Sequence, residues 1–500
     1  MQVNLKNDDS ARETLSLIRK SLKSDNYSEI EEIKNGIEAQ KDVLKQMLYN
    51  PDAKARKNAA LLMGDLQMSE MAQLIFDVYL KEEKRFVKSS YLDALANMDI
   101  EKLIPDIVDC KLKIESEDIN DSNRKHIQEE LRSINKILIK YQGIEKHTAR
   151  TKGVNVEVLL LTNRLHREIV KRQIEGMAEI EGMAETEGVE VQIHPLGVIV
   201  KTDNVQKLLK IRTFKTMYFP VHVHTGNFVD NDPRKAAKQI WESDMYDILT
   251  NMHTAAGTFY YRIDYKGDSE FSRKLASELD QISEGTLINS PSEYEIEIKL
   301  IPNKEGSFFC CMKLNTISDN RFRYRKNAIS TSIQPSTAAL IVKLSEGYLK
   351  EDAQIIDPFC GVGTMLIERD KLKPAREIYA TDIFGDAIRL GRENAKEADV
   401  RINFIHRDFF DFKHDYKFDE IITNFPVRGK KSKEEQDRLY RRFFDKARQI
   451  LADEAVIILY TNEAGFVKKQ LRLNTDYKLV QETCMIKKTG FYLFVIKYYA

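Results

Sequence analysis

Three things are scarce in this chain. Cysteine is the first: Cys110, Cys310, Cys311, Cys360 and Cys484 are odd in number and lack metal-ligand spacing. A disulfide framework or a zinc site is therefore not expected, and a reducing cytoplasm is the expected compartment. An excess of either charge is the second. The 78 lysines and arginines balance 78 aspartates and glutamates, which excludes a globally basic nucleic-acid coat and an acidic solvating tail. Any electrostatic footprint must be local. Long apolar runs are the third. None approaches the roughly 18 residues that begin to suggest a membrane span, and the opening MQVNLKNDDSARETL has no apolar core of a signal peptide. No membrane partner is expected.

What is present is enough apolar material for real cores, 42% of 500 residues. At roughly 150 residues per domain, that length predicts about three domains. Three stretches differ in grammar. Residues 1–145 read as helix. Within them Ala55-Arg56, Ala59-Ala60, Met63-Gly64 and Leu66 are echoed by Val87-Lys88, Tyr91-Leu92, Leu95-Ala96 and Met98, 32 residues on. Asn50-Pro51-Asp52 precedes the first copy. The echo resembles a short HEAT-like array, in which paired helices bury a face only by stacking. An ordinary helical bundle with a chance repeat is the alternative. Arrays of this kind bind protein partners or brace neighbours.

Residues 150–330 mix strand and helix. Gly176-Met177-Ala178-Glu179 recurs at Gly182-Met183-Ala184-Glu185, a local duplication that reads as helix plus insertion. A strand is expected over 258–265, then a helix with Phe271, Leu275, Leu279 and Ile282 on one face. Tyr294, Ile296, Ile298 and Leu300 alternate with Glu295, Glu297 and Lys299, the pattern of a half-buried strand. Phe308, Cys310, Met312 and Leu314 repeat it. This order, with the wording FYYRIDYKGDSEFSRKLASEL and LINSPSEYEIEIKL, resembles the THUMP domain of RNA-modifying enzymes.

Residues 331–500 alternate strand and helix, the signature of a doubly wound parallel sheet. Short apolar runs lie at 353–356, 377–381, 403–406, 420–423 and 455–460, with helical stretches at 387–398 and 434–451. A closing antiparallel hairpin is expected over 477–486 and 491–498. The sharpest motif, Asp357-Pro358-Phe359-Cys360-Gly361-Val362-Gly363-Thr364, follows a strand and precedes a helix. Its two glycines let backbone approach a ligand at a carboxyl strand end. A nicotinamide site wants a third glycine where Leu366 stands. Asp357 suits an ammonium group better than a pyrophosphate, which favours S-adenosylmethionine.

DPFCGVGT resembles the first motif of class I methyltransferases, in the version found among amino-group methylases of nucleic acids. The resemblance implies a Rossmann-like fold and S-adenosylmethionine as cofactor. It implies a set of cofactor residues: Asp357, Phe359, Gly361 and Gly363 in the first motif, Asp382 on the ribose, and Asp408 with Phe409 at the adenine. Gln334-Pro335-Ser336-Thr337-Ala338-Ala339 is similar to the Pro-Thr-Leu-Ala-Ala segment of THUMP-bearing guanine methylases, which implies Thr337 near the cofactor.

After the fourth strand stands Asn424-Phe425-Pro426-Val427, where these methylases carry Asn or Asp, a variable residue or Pro, Pro and an aromatic. An exocyclic amino nitrogen is a poor nucleophile because its lone pair is delocalised into the base. The Asn424 oxygen and the Pro426 main-chain carbonyl can accept its two hydrogens and aim the lone pair, so positioning carries the catalysis. Val427 replaces the expected aromatic, at a stacking cost of about 1–3 kcal/mol per base, with Phe425 the candidate substitute. Methylation at a cytosine carbon needs a cysteine beside this loop, and none lies between Cys360 and Cys484.

Two basic clusters flank these motifs. Arg321, Arg323, Arg325 and Lys326 interleave with Phe322 and Tyr324, and Arg428, Lys430, Lys431 and Lys433 follow the Asn-Phe-Pro-Val loop. Two runs beside one site are better explained by phosphate contacts than by a solvated face. The resemblance implies an RNA methyltransferase acting on a guanine amino group, with transfer RNA favoured over ribosomal RNA. A non-catalytic RNA-binding or assembly factor, and a methylase of proteins or small molecules, are the competing readings.

Overall fold

The computed structural model describes residues 5–8, 10–22, 27–117, 123–180, 190–224, 226 and 228–500. Two compact units emerge, each assembled from separate stretches of chain. The first comprises Met1–Thr148, Val221–Tyr246 and Ala255–Cys310; the second comprises Ala149–Pro220, Asp247–Thr254 and Cys311–Ala500. No helix among the described residues is long and apolar enough to cross a membrane.

The first unit opens with the helices Ala11–Ser21, Tyr27–Glu38, Lys41–Met47, Ala53–Asp65, Ala72–Lys81, Arg85–Leu95, Ile104–Glu115 and Arg124–Gln142. Asp52 caps Ala53–Asp65 by accepting the Lys54 amide, which explains the Asn-Pro-Asp punctuation before it. The two echoed segments fall on Ala53–Asp65 and Arg85–Leu95, which pack on one another. Gly64 approaches so closely that a Cβ there would stand 2.7 Å from the Ala94 Cα. Ala55, Ala59, Ala60 and Met63 share one apolar core with Val87, Tyr91, Leu92 and Leu95.

In the same unit Phe259–Asp264 runs parallel to both Leu287–Asn289 and Ile296–Pro302, beside the helix Ser269–Ile282. The alternating segment at 294–300 departs from the expected half-buried strand. Glu295 is 0% exposed and Glu297 7%, because both faces of the strand are covered and the carboxylates are satisfied internally. Glu295 accepts the His147 amide at 2.9 Å and faces His147 Nδ1 at 2.9 Å, while Glu297 pairs with Arg262. The strand Phe308–Leu314, whose residues from Cys311 on belong to the second unit, is likewise buried on both faces.

The second unit begins with an antiparallel set: Lys152–Leu161 lies between Gly197–Asn204 and Thr216–Pro220, and Glu190–His194 pairs outside Gly197–Asn204. Gly176 and Met177 lie on the helix Arg167–Ile180, whereas Gly182 to Glu185 fall outside the described residues.

The carboxyl-terminal sheet has seven strands: β1 (Gln354–Asp357), β2 (Glu377–Asp382), β3 (Asn403–His406), β4 (Phe418–Asn424), β5 (Leu451–Thr461), β6 (Tyr477–Ile486) and β7 (Phe491–Tyr498). Their order is β3-β2-β1-β4-β5-β7-β6. The first five are parallel, and β7 runs antiparallel to β5 and β6. The helices are α1 (Pro335–Leu344), α2 (Thr364–Leu372), α3 (Gly385–Ala398), α4 (Lys433–Ile450) and α5 (Ala464–Leu473). Successive residues feed opposite faces. Ile355, Ile422, Ile458 and Val495 enter one core, and Ile356, Ile421, Ile457 and Phe494 the other. A fully buried ion pair joins α2 to β4: Arg369 Nε and Nη2 each donate to Glu420 at 2.8 Å, with both side chains 0% exposed. Strand order reverses between β1 and β4, so their carboxyl ends flank the crevice where such sheets bind ligands.

Candidate active site

β1 delivers Asp357 to that crevice with 1% exposure. Its Oδ1 accepts the Phe359 amide at 3.0 Å and the Thr423 hydroxyl, from neighbouring β4, at 2.6 Å. Oδ2 has no hydrogen bond among the described residues. Burial pushes the Asp357 carboxyl up to about 7, and the negative Asp382 adds to the rise, against the pull of Thr423 and the Phe359 amide. Burial also raises the Cys360 thiol, which keeps that residue a protonated packing group.

The two glycines of the loop do different work. Gly361 takes φ +52°, and a Cβ there would meet nothing nearer than Ile329 Cδ1 at 3.8 Å. The positive φ, not a neighbour, demands glycine, and the space beside it is open. Gly363 takes φ +78°, and its Cβ would lie 2.9 Å from Phe404 Cζ, so packing excludes a side chain. The Gly361 amide donates to Asp382 Oδ2 at 2.9 Å, while Asp382 Oδ1 accepts the Phe384 amide at 2.9 Å. The ends of β1 and β2 are thereby joined. Thr364 Oγ1, on the first residue of α2, is buried without a partner. Thr337 is half-buried on the first turn of α1, which packs along α2. Asp408 is half-buried beyond β3 and caps the short turn Phe409–Asp411 by accepting the Phe410 amide at 3.0 Å.

Residues 323–489 match the family model described as RMKL-like, methyltransferase domain. Among curated proteins, the chain is 31% identical over 155 residues to a tRNA (guanine(10)-N2)-dimethyltransferase of Methanothermobacter thermautotrophicus, covering 30% of this chain and 45% of that one. It is 36% identical over 80 residues to the uncharacterized protein MG259 of Mycoplasma genitalium, covering 16% of this chain and 18% of that one. The chain thus spans less than half the length of the curated relatives it matches. Among solved structures, TrmN from Thermus thermophilus is similar at 16% identity and TM-score 0.48, over 68% of this chain and 99% of that one.

Asn424 ends β4 half-buried, with no side-chain hydrogen bond among the described residues. Phe425 goes inward: its amide donates to Tyr460 O at 2.9 Å and its ring, 1% exposed, stacks on Tyr440 with centroids 4.2 Å apart. It therefore cannot stand in for the missing aromatic, whose place belongs to Val427, 45% exposed. The Pro426 carbonyl accepts Gln436 Nε2 from the first turn of α4 at 3.0 Å. Phe359 packs its ring against Phe409 and Phe425. Phe409, at 1% exposure, is part of that aromatic core.

The first basic cluster divides. Arg321 is 5% exposed, and its guanidinium donates to both Asp319 oxygens and to the Ile211 and Phe214 carbonyls while lying 3.5 Å from the centre of the Phe214 ring. Those bonds leave nothing to offer a phosphate, so Arg321 is a packing residue rather than an RNA contact. Tyr324 is also interior, donating to Glu368 at 2.6 Å. Arg323 and Lys326 are exposed, Arg325 is half-buried, and Lys326 pairs with Glu397 at 2.8 Å. In the second cluster Lys430 and Lys431 are exposed, and Arg428 lies 3.6 Å from Glu463.

Three features were missed in the sequence. Ile383 and Phe384, immediately after Asp382, are 58% and 64% exposed, an apolar pair facing solvent beside the crevice. Apolar residues in a turn just before a helix were the available signal. Gln436 carried no signal. Asn394 on α3 is wholly buried and binds the Asn327 backbone through both amide atoms, at 3.0 and 2.9 Å, and the Val362 carbonyl at 3.4 Å. It fastens the segment after the first basic cluster to the glycine loop.

Proposed function

We propose that this chain is an S-adenosylmethionine-dependent RNA methyltransferase acting on the exocyclic amino group of a guanosine, with transfer RNA favoured over ribosomal RNA. The observation that carries the reading is the junction of β1 and β4. A buried acid and an Asn-x-Pro loop end adjacent strands, tied by the Thr423 to Asp357 bond. The match to a methyltransferase-domain family over 323–489, and the guanine-N2 activity of the Methanothermobacter relative, support it. The helical array is read as HEAT-like, spanning 1–145 and open to a protein partner. Residues 150–330 are read as THUMP-containing and 331–500 as the catalytic domain.

The residues present fit the cofactor. The free Asp357 Oδ2 suits an ammonium group, the open space at Gly361 admits a ligand against backbone, and the orphaned Thr364 hydroxyl lacks a partner. Asp382 would hold the ribose hydroxyls and Asp408 the adenine amino group, with Phe359, Gly363 and Thr337 shaping the pocket. When bound, S-adenosylmethionine supplies an electrophilic methyl group on a sulfonium. Asn424 Oδ1 and the Pro426 carbonyl would accept the two amino hydrogens and aim the nitrogen lone pair at that methyl group. One amino proton then passes to solvent. Arg323, Arg325, Lys326, Arg428, Lys430 and Lys431 are the proposed phosphate contacts.

A second reading, a non-catalytic RNA-binding factor, is favoured by one observation: Val427 occupies the stacking position and Phe425 is interior. Transfer of labelled methyl to unmodified total RNA, with nucleoside analysis, separates the two. Labelled N2-methylguanosine made by the wild type and abolished in Asn424→Ala, with cofactor binding retained, supports the enzyme. Cofactor binding with no label in transfer or ribosomal RNA supports the second reading.

A further inference from the structure

In the first unit the helices Ala11–Ser21, Ala53–Asp65, Arg85–Leu95 and Arg124–Gln142 pack successively on one another. Two grooves run along them, of about 1210 and 700 Å³, and Lys57 and Phe86 line both, so the grooves form one continuous channel. Its cations are patterned. Arg132, Lys136 and Lys140 line it at intervals of four residues, which places them on one face about 6 Å apart along the axis. Lys54 and Lys57 sit one turn apart on a second helix, and Arg12 on the first.

These six cations face four carboxylates. Of the four, Asp93 already accepts the Ser133 hydroxyl at 2.9 Å and Glu129 lies 3.1 Å from His126 Nδ1; the others are Glu13 and Glu293. Arg132 pairs with Asp280 at 3.1 Å, and Lys140 donates to the Ala96 and Met98 carbonyls. Lys54, Lys57 and Lys136 have no carboxylate partner among the described residues. In a chain whose overall charge is zero, unpaired lysines concentrated in one groove make it a local positive patch that attracts a polyanion. More than half of the remaining lining side chains carry a hydroxyl or amide, with Leu17 exposed in the smaller groove and Phe86 exposed where the two grooves meet.

We propose that this channel takes the phosphate backbone of the RNA substrate, in addition to the cations at 323–326 and 428–431. The inference rests on the RNA reading above. The test is binding of unmodified transfer RNA by the full chain between 50 and 200 mM salt, for the wild type and the double variant Lys57→Glu/Lys136→Glu. Cofactor affinity and thermal midpoint monitor the fold, and Lys57→Gln/Lys136→Gln serves as the milder pair. The expected result is affinity lowered about tenfold or more in the reversed pair, with the log–log salt slope shallower by about 1.8, from roughly 0.9 per phosphate contact. Wild-type binding matched by both variants in affinity and slope overturns the inference and leaves the channel to a protein. A wild type that binds no RNA overturns the RNA reading itself, and the inference with it.

Discussion

Thr423 and Asp357 sit on adjacent parallel strands, and the hydroxyl of one donates to the carboxylate of the other at 2.6 Å. The bond couples the strand carrying the candidate acceptor loop to the acid of the candidate donor pocket. Thr423→Val keeps the shape and deletes the donor. Cofactor affinity is expected to fall about tenfold, the order of one hydrogen bond to a charged group, as measured by calorimetry at pH 7.5.

The Asp357 carboxyl, raised to about 7, sets a pH dependence. Only the ionised form attracts an ammonium group, so cofactor binding should strengthen as pH rises through 7 and level off above it. The stability effect runs the other way. Because the folded pKa exceeds the unfolded one, the unfolded state gives up its proton first, and this group's contribution falls as pH climbs from about 4 past 7. Asp357→Asn should therefore raise the thermal midpoint of the cofactor-free protein at pH 8.5, change it little at pH 4, and abolish cofactor binding.

Gln436 holds the Pro426 carbonyl from α4. In Gln436→Leu that carbonyl loses its fixed direction, so methyl transfer should drop about tenfold with cofactor affinity unchanged. Single-turnover transfer beside equilibrium binding checks this. A parallel loss of both would mark Gln436 as a folding residue alone.

Phe425 and Val427 should exchange the roles their chemistry suggests. Phe425→Ala removes a fully buried ring and is expected to cost about 3–5 kcal/mol in urea unfolding. Val427→Tyr places an aromatic at a position that is 45% exposed. It should leave stability unchanged and raise kcat/KM for RNA several-fold, as stacking of about 1–3 kcal/mol per base would allow.

Arg321 and Arg323 are two residues apart, one buried and one exposed. Arg321→Ala leaves the Ile211 and Phe214 carbonyls without their donor, so it should destabilise the chain while leaving the salt slope of RNA binding unchanged. Arg323→Glu should flatten that slope at little cost in stability. Chemical denaturation and a salt titration on both variants decide it.

The sheet was legible because each parallel strand is a short apolar run closed by a turn residue. The expected 353–356 and 377–381 became Gln354–Asp357 and Glu377–Asp382. Asp357, Asp382 and Asn424 were legible for the same reason: a polar residue ending such a run stands at the crevice. Arg321, Glu295 and Glu297 were not, because charge in a sequence reads as solvent exposure and their partners come from distant segments. The orientation of Phe425 was recoverable. It shares its parity with Ile421, and the ladder runs one residue past Asn424 through the Phe425 amide, so the period of two carries it into the same core.

The Arg369–Glu420 pair has a consequence for how this sequence can change over time. Losing either member strands the other as an isolated charge in the interior, at a cost of about 3–5 kcal/mol, whereas exchanging both for an apolar pair of equal volume forfeits only the bonds they make to the Lys350 and Lys373 backbone. Intermediates with one partner are thus barred while both endpoints are viable. Among descendants of this chain the two positions should be inherited as a couple, kept together or replaced together, with almost no half-changed survivors.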